Sequence, residues 1–183
     1  MVFVHKNIRL PAKHYRGTGW YFVTFCCENH ERVFHSQASC NWIVNSLQCA
    51  APIHRIAVHA YCLMPDHIHL LLQGLEATSD LLQFLKALKQ KTGYTYKQKT
   101  DKHLWQKKSY DRILRRNESP DSVAWYIWLN PVRAGLCRSP QEYPWSGSLT
   151  GAGPNAAPPV EPWAPPWKSE KRPPEGGRYT LEP

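Results

Sequence analysis

Two histidines, His67 and His69, stand with one residue between them in the run YCLMPDHIHLLL, residues 61–72. Along an extended chain, residues two apart project to the same face, so in a strand both imidazoles point one way, close to each other. Two neutral imidazoles so placed make a partial metal site. The plainer reading is one hydrogen-bonded core histidine and one solvated one. A third ligand would have to come from elsewhere in the chain. Tyr126 and Asn130, four apart in WYIWLN, share one face of a helix. The carboxamide of Asn130 can complete a metal triad, and the phenol of Tyr126 can be a nucleophile. The competing readings are a core aromatic, like its neighbours Trp125 and Trp128, and a helix-ending residue before Pro131.

These side chains need elements to hold them. GWYFVTFCCE, residues 19–28, is rich in aromatic and β-branched residues and reads as a strand. A helix follows, capped by Ser36 or Ser39, with Ile43, Leu47 and Ala50 on one face and Pro52 at its end. Residues 53–64 alternate as a second strand, Pro65 and Asp66 turn the chain, and residues 67–74 form a third strand, as in a hairpin. Ser79 can cap a helix whose apolar face is Leu81, Leu82, Leu85 and Leu88. Residues 110–114 suit a fourth strand. Ser119, Pro120 and Asp121 then open a helix that Pro131 ends or kinks and Gly135 stops. The order β-α-β-β-α-β is that of an α+β, ferredoxin-like α/β sandwich with an antiparallel sheet, here with an added C-terminal helix.

The chain has 183 residues, of which 42% are hydrophobic, enough for one domain with an ordinary core. We place that domain at residues 1–148, with a basic lead-in of about 18 residues. Residues 149–183 are dominated by Pro, Gly and Ala, show no helical or strand period, and read as a disordered tail in which Trp163 and Trp167 could dock. Against 14 acidic residues stand 23 Lys and Arg, a formal charge of +9 that favours a polyanionic partner, nucleic acid above all. No apolar run approaches the ~18 residues of a membrane span, and no secretory signal is apparent, so a cytoplasmic location without a membrane partner is expected. The six cysteines form no C-x-x-C pair and read as reduced core residues.

Several motifs, taken in order, resemble a known family. LMPDHIHLLL looks like the histidine motif of the HUH single-tyrosine transposases, and IRLPAKHYRGTGWYFVTFCCENHERVF resembles their N-terminal strand and its lead-in. HLWQKKSYDRILR is similar to their W-Q-x-x-[YF]-[YF]-[DE]-[RH] block, and WYIWLNPVRAGL to their Y-I-x-x-N-P-V-[KR]-A-G-L helix. YPWSGS resembles the closing W-P-W-S-S of the REP-associated tyrosine transposases. The matches run from Ile8 to Ser148. The resemblance implies that His67 and His69 bind metal, that Tyr126 is the nucleophile, and that Asn130 is the third ligand. Trp128 replaces the frequent His or Glu of that helix, and Ser109 stands where a second aromatic is common.

On that reading the chain cleaves and rejoins hairpin-bearing, palindromic single-stranded DNA through a 5′-phosphotyrosine intermediate, acting as a strand transferase with Mg²⁺ or Mn²⁺. Neutral ligands leave the full cation charge to the phosphate, and the covalent link conserves the bond for rejoining. Lys86, Lys89, Lys91, Lys107, Lys108, Arg112, Arg115, Arg116 and Arg133 are the cations available to a single strand; their alternative is a solvated charged face. Members of the family act as monomers or as dimers that share helices, so a homodimer stays open. Two other classes compete. One is a non-catalytic module that binds single-stranded nucleic acid, against which stands the lack of an RNP-type aromatic motif. The other is a hydrolytic zinc enzyme using His59 or Cys62 as a further ligand, against which stands the lack of a nearby Glu base.

Overall fold

A computed structural model describes residues 10–151 and 153–165. Five strands form one antiparallel sheet: β1 (Trp20–Cys26), β2 (Ile56–Met64), β3 (His67–Gly74), β4 (Tyr110–Ile113) and β5 (Ser146–Gly147), in the order β4-β1-β3-β2-β5. The first four are in ferredoxin-like order, as the pattern of elements predicts. The short β5, which the sequence pattern does not announce, extends the edge beside β2. It is held there by the Trp128 indole, which donates to the Gly147 carbonyl at 3.0 Å.

Helices α1 (Gln37–Ile53) and α2 (Leu81–Thr100) pack on each other over one face of the sheet. Ser36 caps α1, its hydroxyl accepting from the Ser39 amide while Ser39 reaches back to the Ser36 amide. Ile53, expected to begin a strand, is the last residue of that helix; Pro52 stands just before it, where its missing N–H deprives only the Gln48 carbonyl of a helical donor. The α2 cap is Asp80, not Ser79. The Ser79 hydroxyl instead closes the preceding turn, accepting from the Leu75 and Glu76 amides and donating to the Arg55 carbonyl. Where β3 ends, Gly74 is needed: a Cβ there would lie 1.8 Å from the Gly17 carbonyl oxygen.

Helix α3 (Pro120–Trp128) covers the opposite face, lying over β2 and β3. Strand alternation sorts the residues. Val23, Phe25, Ile68, Leu70 and Leu72 face α1 and α2, whereas Phe22 and Leu71 face α3. In β2 the alternation breaks at a bulge between Val58 and Ala60. One extra residue flips the parity, so Val58 and Leu63 face one layer while Ala60, Cys62 and Met64 face α3.

The expected helix beyond Pro120 is two helices. It breaks at Leu129 and resumes as the single turn α4 (Asn130–Arg133). The predicted disordered tail also needs correction. Its residues 153–165 carry no helix or strand, as their composition requires, yet they lie on α3. Ser122 donates to the Glu161 carbonyl, Trp125 to that of Ala157, and Trp163 is buried. Indole burial outweighs the lack of regular structure there. Trp167 and the first nine residues lie outside the described residues.

Candidate active site

The two imidazoles project from β3 onto the α3 face, and their Nε2 atoms converge at 3.2 Å. Each outer nitrogen has a partner. His67 Nδ1 meets the Asp66 carboxylate at 2.6 Å, and His69 Nδ1 meets the Thr24 hydroxyl at 2.8 Å. Thr24 stands there because β1 pairs with β3 in the register Thr24↔His69. The hydrogen bond with His67 holds the Asp66 carboxyl down at about 2, against the opposing effect of burial. Asp66 is therefore ionised and can only accept, so Nδ1 of His67 carries a proton; whenever that ring is neutral, its Nε2 offers a lone pair. Burial, with help from the positive ends of His67 and Arg133, pushes His69 well below the ordinary histidine range and keeps it neutral. When Thr24 accepts from Nδ1 of His69, two lone pairs face each other across 3.2 Å. Two nitrogens at that separation can each lie about 2.1 Å from a shared cation. The outer partners fix tautomer and ring orientation as they do in histidine metal sites.

Tyr126, buried in α3, belongs to the same face of the sheet. The Phe22 ring touches both centres, 5.6 Å from the His69 ring and 6.1 Å from the Tyr126 ring. Burial raises the Tyr126 phenol above its ordinary value, and the Arg133 charge opposes the rise. The Arg133 guanidinium sits 4.5 Å from the phenol ring centre and donates to the Tyr126 carbonyl at 3.0 Å.

Asn130 sits at the break between α3 and α4. Pro131 has no N–H to give the Ile127 carbonyl, and the Asn130 side-chain nitrogen fills that place at 3.1 Å while also donating to Tyr126 O at 2.9 Å. Its amide oxygen is the atom left to act as a ligand. Among the described residues, no three His, Cys, Asp or Glu side chains converge on a cation site. Of the alternative zinc ligands, His59 lies at the bulge, bonded to Gln73 and packed on Trp20. Cys62 does stand beside His69 in the strand register, but its sulfur meets that of Met64 and burial drives its thiol far up.

A third layer was not legible in the sequence. Trp163 packs its ring 4.9 Å from Tyr126 and 5.5 Å from Phe22, roofing the phenol. Its indole donates to the Glu118 carboxylate at 2.8 Å, which Arg112 also binds, at 2.6 Å. Burial pushes Glu118 up, but these donors and the Arg115 amide outweigh it and hold the carboxyl below its ordinary value.

The predicted cations scatter. Arg133 joins the site, Arg112 is paired under the tail, and the Lys89 ammonium is tied to the Gln106 and Lys107 carbonyls. Lys86, Lys91, Lys107, Lys108, Arg115 and Arg116 are exposed. Thr24, Asp66 and Trp163 also belong to the site, although the motifs of the sequence do not single them out. Only Asp66, adjacent to His67, carried a local signal.

The fold is that of a solved structure of a REP-associated tyrosine transposase bound to a REP hairpin. The TM-score is 0.59 at 17% identity, over 80% of this chain and 82% of that one. At that identity the likeness is one of fold. Residues 18–128 match the model of the family described as IS200-like transposase, a span that includes both histidines and Tyr126, and the chain belongs to that family. An uncharacterized protein of Haemophilus influenzae is 27% identical over 158 residues, covering 69% of this chain and 88% of its own length. No helix among the described residues is long and apolar enough to cross a membrane.

Proposed function

We propose that this transposase cleaves and rejoins hairpin-bearing single-stranded DNA, with Tyr126 as the nucleophile and a divalent cation held by His67, His69 and Asn130. The observation that carries the reading is the Nε2 pair at 3.2 Å on the sheet face covered by the tyrosine-bearing helix. His67 and His69 would bind through Nε2 and Asn130 through its amide oxygen. The bound Mg²⁺ or Mn²⁺ would polarise the phosphate and stabilise the leaving 3′-oxygen. In the step itself, Tyr126 Oη forms a bond to phosphorus and the bond to the 3′-oxygen breaks. The phenol loses its proton to solvent, and the 3′-oxygen gains one. The product is a 5′-phosphotyrosine and a free 3′-hydroxyl, which can attack in the reverse sense to rejoin the strand. Arg133 holds the Tyr126 backbone and ring, and its remaining donors are available to a phosphate. The solved relative's hairpin ligand supports a hairpin-bearing substrate for this chain.

The test uses the purified protein, hairpin-bearing single-stranded DNA and Mn²⁺. A covalent protein–DNA adduct is expected with the native chain and none with Tyr126→Phe, which keeps the ring and its packing. A mutant that cleaves as well as the parent would overturn the nucleophile. DNA affinity that ignores metal, with no adduct from either protein, would instead mark a non-catalytic binding module.

A further inference from the structure

A groove of about 340 Å³ lies on the other side of the molecule, between the C-terminal half of α2 and residues 103–107. Its wall carries Lys97, His103 and Lys107, and among the described residues no carboxylate lines it. Lys89 adds a fixed charge, since its ammonium is tied to the Gln106 and Lys107 carbonyls. Tyr94 also lines the groove and is 68% exposed, a large ring left in water on a helix whose buried face is made by other residues.

Gly93 sits in the interior of this 20-residue helix, where glycine is the least favourable residue apart from proline. Packing does not demand it. A Cβ there would meet only Trp105 Cδ1, at 3.9 Å. Leaving the position bare opens the groove down to the indole edge. The groove is also joined to the candidate active site. Trp105 bridges to Cys27, and the Gln106 amide donates to the Cys26 carbonyl at 2.9 Å. Cys26 is in turn the β1 partner of His67. The groove thus opens at the end of the sheet where the histidine pair begins.

We infer that this groove holds a nucleotide of the single strand that leads to the cleavage site, with its base against Tyr94 over Gly93 and its phosphates between Lys97 and Lys107. This inference rests on the proposed single-stranded DNA substrate. Aromatic stacking with flanking cations binds any base, because every base has a π-face and every linkage a charge. The groove therefore contributes grip without sequence preference. It leaves readout of the hairpin to other surfaces.

The experiment measures fluorescence anisotropy of labelled oligothymidylate with the full chain, and checks each variant's fold by circular dichroism and Tm. Tyr94→Ala is expected to weaken binding at least fivefold, about the lower end for loss of one stacked base. Lys97→Glu with Lys107→Glu is expected to weaken it more than tenfold and to lower the slope of affinity against salt by about 1.4, the value for two single-strand phosphates. Lys99→Glu, one such charge reversal on α2 outside the groove, sets the general electrostatic loss per reversal, against twice which the double variant is compared. Gly93→Leu, a better helix former, is expected to keep or raise Tm while weakening binding. Groove variants that bind like the native chain, or no worse than the loss Lys99→Glu sets, would overturn the inference while leaving the transposase reading to the adduct assay. A native chain that binds no oligothymidylate would also overturn it, and failure of the adduct assay would then remove the transposase reading as well.

Discussion

On one face of the sheet Val23, Phe25, Ile68, Leu70 and Leu72 meet α1 and α2 in a continuous apolar layer. On the other, the residues between them, including Phe22, Thr24, His67, His69 and Leu71, meet α3. The same strands build both, because successive side chains point to opposite sides. The first face carries packing alone. The second carries two imidazoles, a hydroxyl and a phenol, and it brings the two Nε2 atoms to 3.2 Å. A site with partly unused polar groups is destabilising on its own account, and a strand can carry one because its alternate residues anchor it elsewhere. In HIHLLLQG, Ile68, Leu70 and Leu72 hold β3 in place while His67 and His69 do something else with it.

The sharpest way to break that division of labour is to strike each face through one strand. Leu70→Ala is expected to cost roughly 3 kcal/mol in denaturant unfolding, the usual price of a fully buried leucine. His67→Ala should change stability by less than about 1 kcal/mol, yet abolish the DNA adduct and any rise in Tm that Mn²⁺ gives the native chain. Equal stability losses would show that the histidine face is structural.

The tail tests whether the second face is complete without its roof. Trp163→Ala is expected to cost about 2 kcal/mol from lost aromatic burial. It should also speed nitration of the Tyr126 ring, read by mass spectrometry of the modified peptide. An unchanged nitration rate would mean that Trp163 does not shield the phenol.

The smallest effect concerns the latch beneath that indole. Glu118 is held below its ordinary value of about 4.5, so the unfolded chain binds its proton more readily than the folded one. Its contribution is present above that value and is lost as pH falls below it. Between about pH 5 and pH 3 the native chain should lose stability more steeply than Glu118→Gln, with Trp163 fluorescence following the same transition. Identical slopes would detach the tail from this carboxylate.

Much of this arrangement could be read along the chain. The β-α-β-β-α-β order, the shared face of His67 and His69, and the helix carrying Tyr126 all follow from periods of two and 3.6 residues acting over short spans. The misreadings were local competitions. Ser79 lost the α2 cap to Asp80 because its hydroxyl had three better-placed partners in the turn. The helix after Ser119 broke at Leu129 because Pro131, two residues on, has no N–H for the Ile127 carbonyl. The parity of β2 was hidden, since a bulge leaves no mark on composition.

Periodicity and spacing were enough to put two imidazoles on one side of a strand and a phenol one helical turn from a carboxamide. They could not place Thr24 behind His69, since that depends on the register between strands 45 residues apart. Nor could they bring Trp163 onto Tyr126, because a proline-rich segment has no period of its own and takes its conformation from the surface it meets. Local backbone geometry dictates which side chains share a face. Which atoms then touch across faces is settled only when distant segments pack together and exclude water.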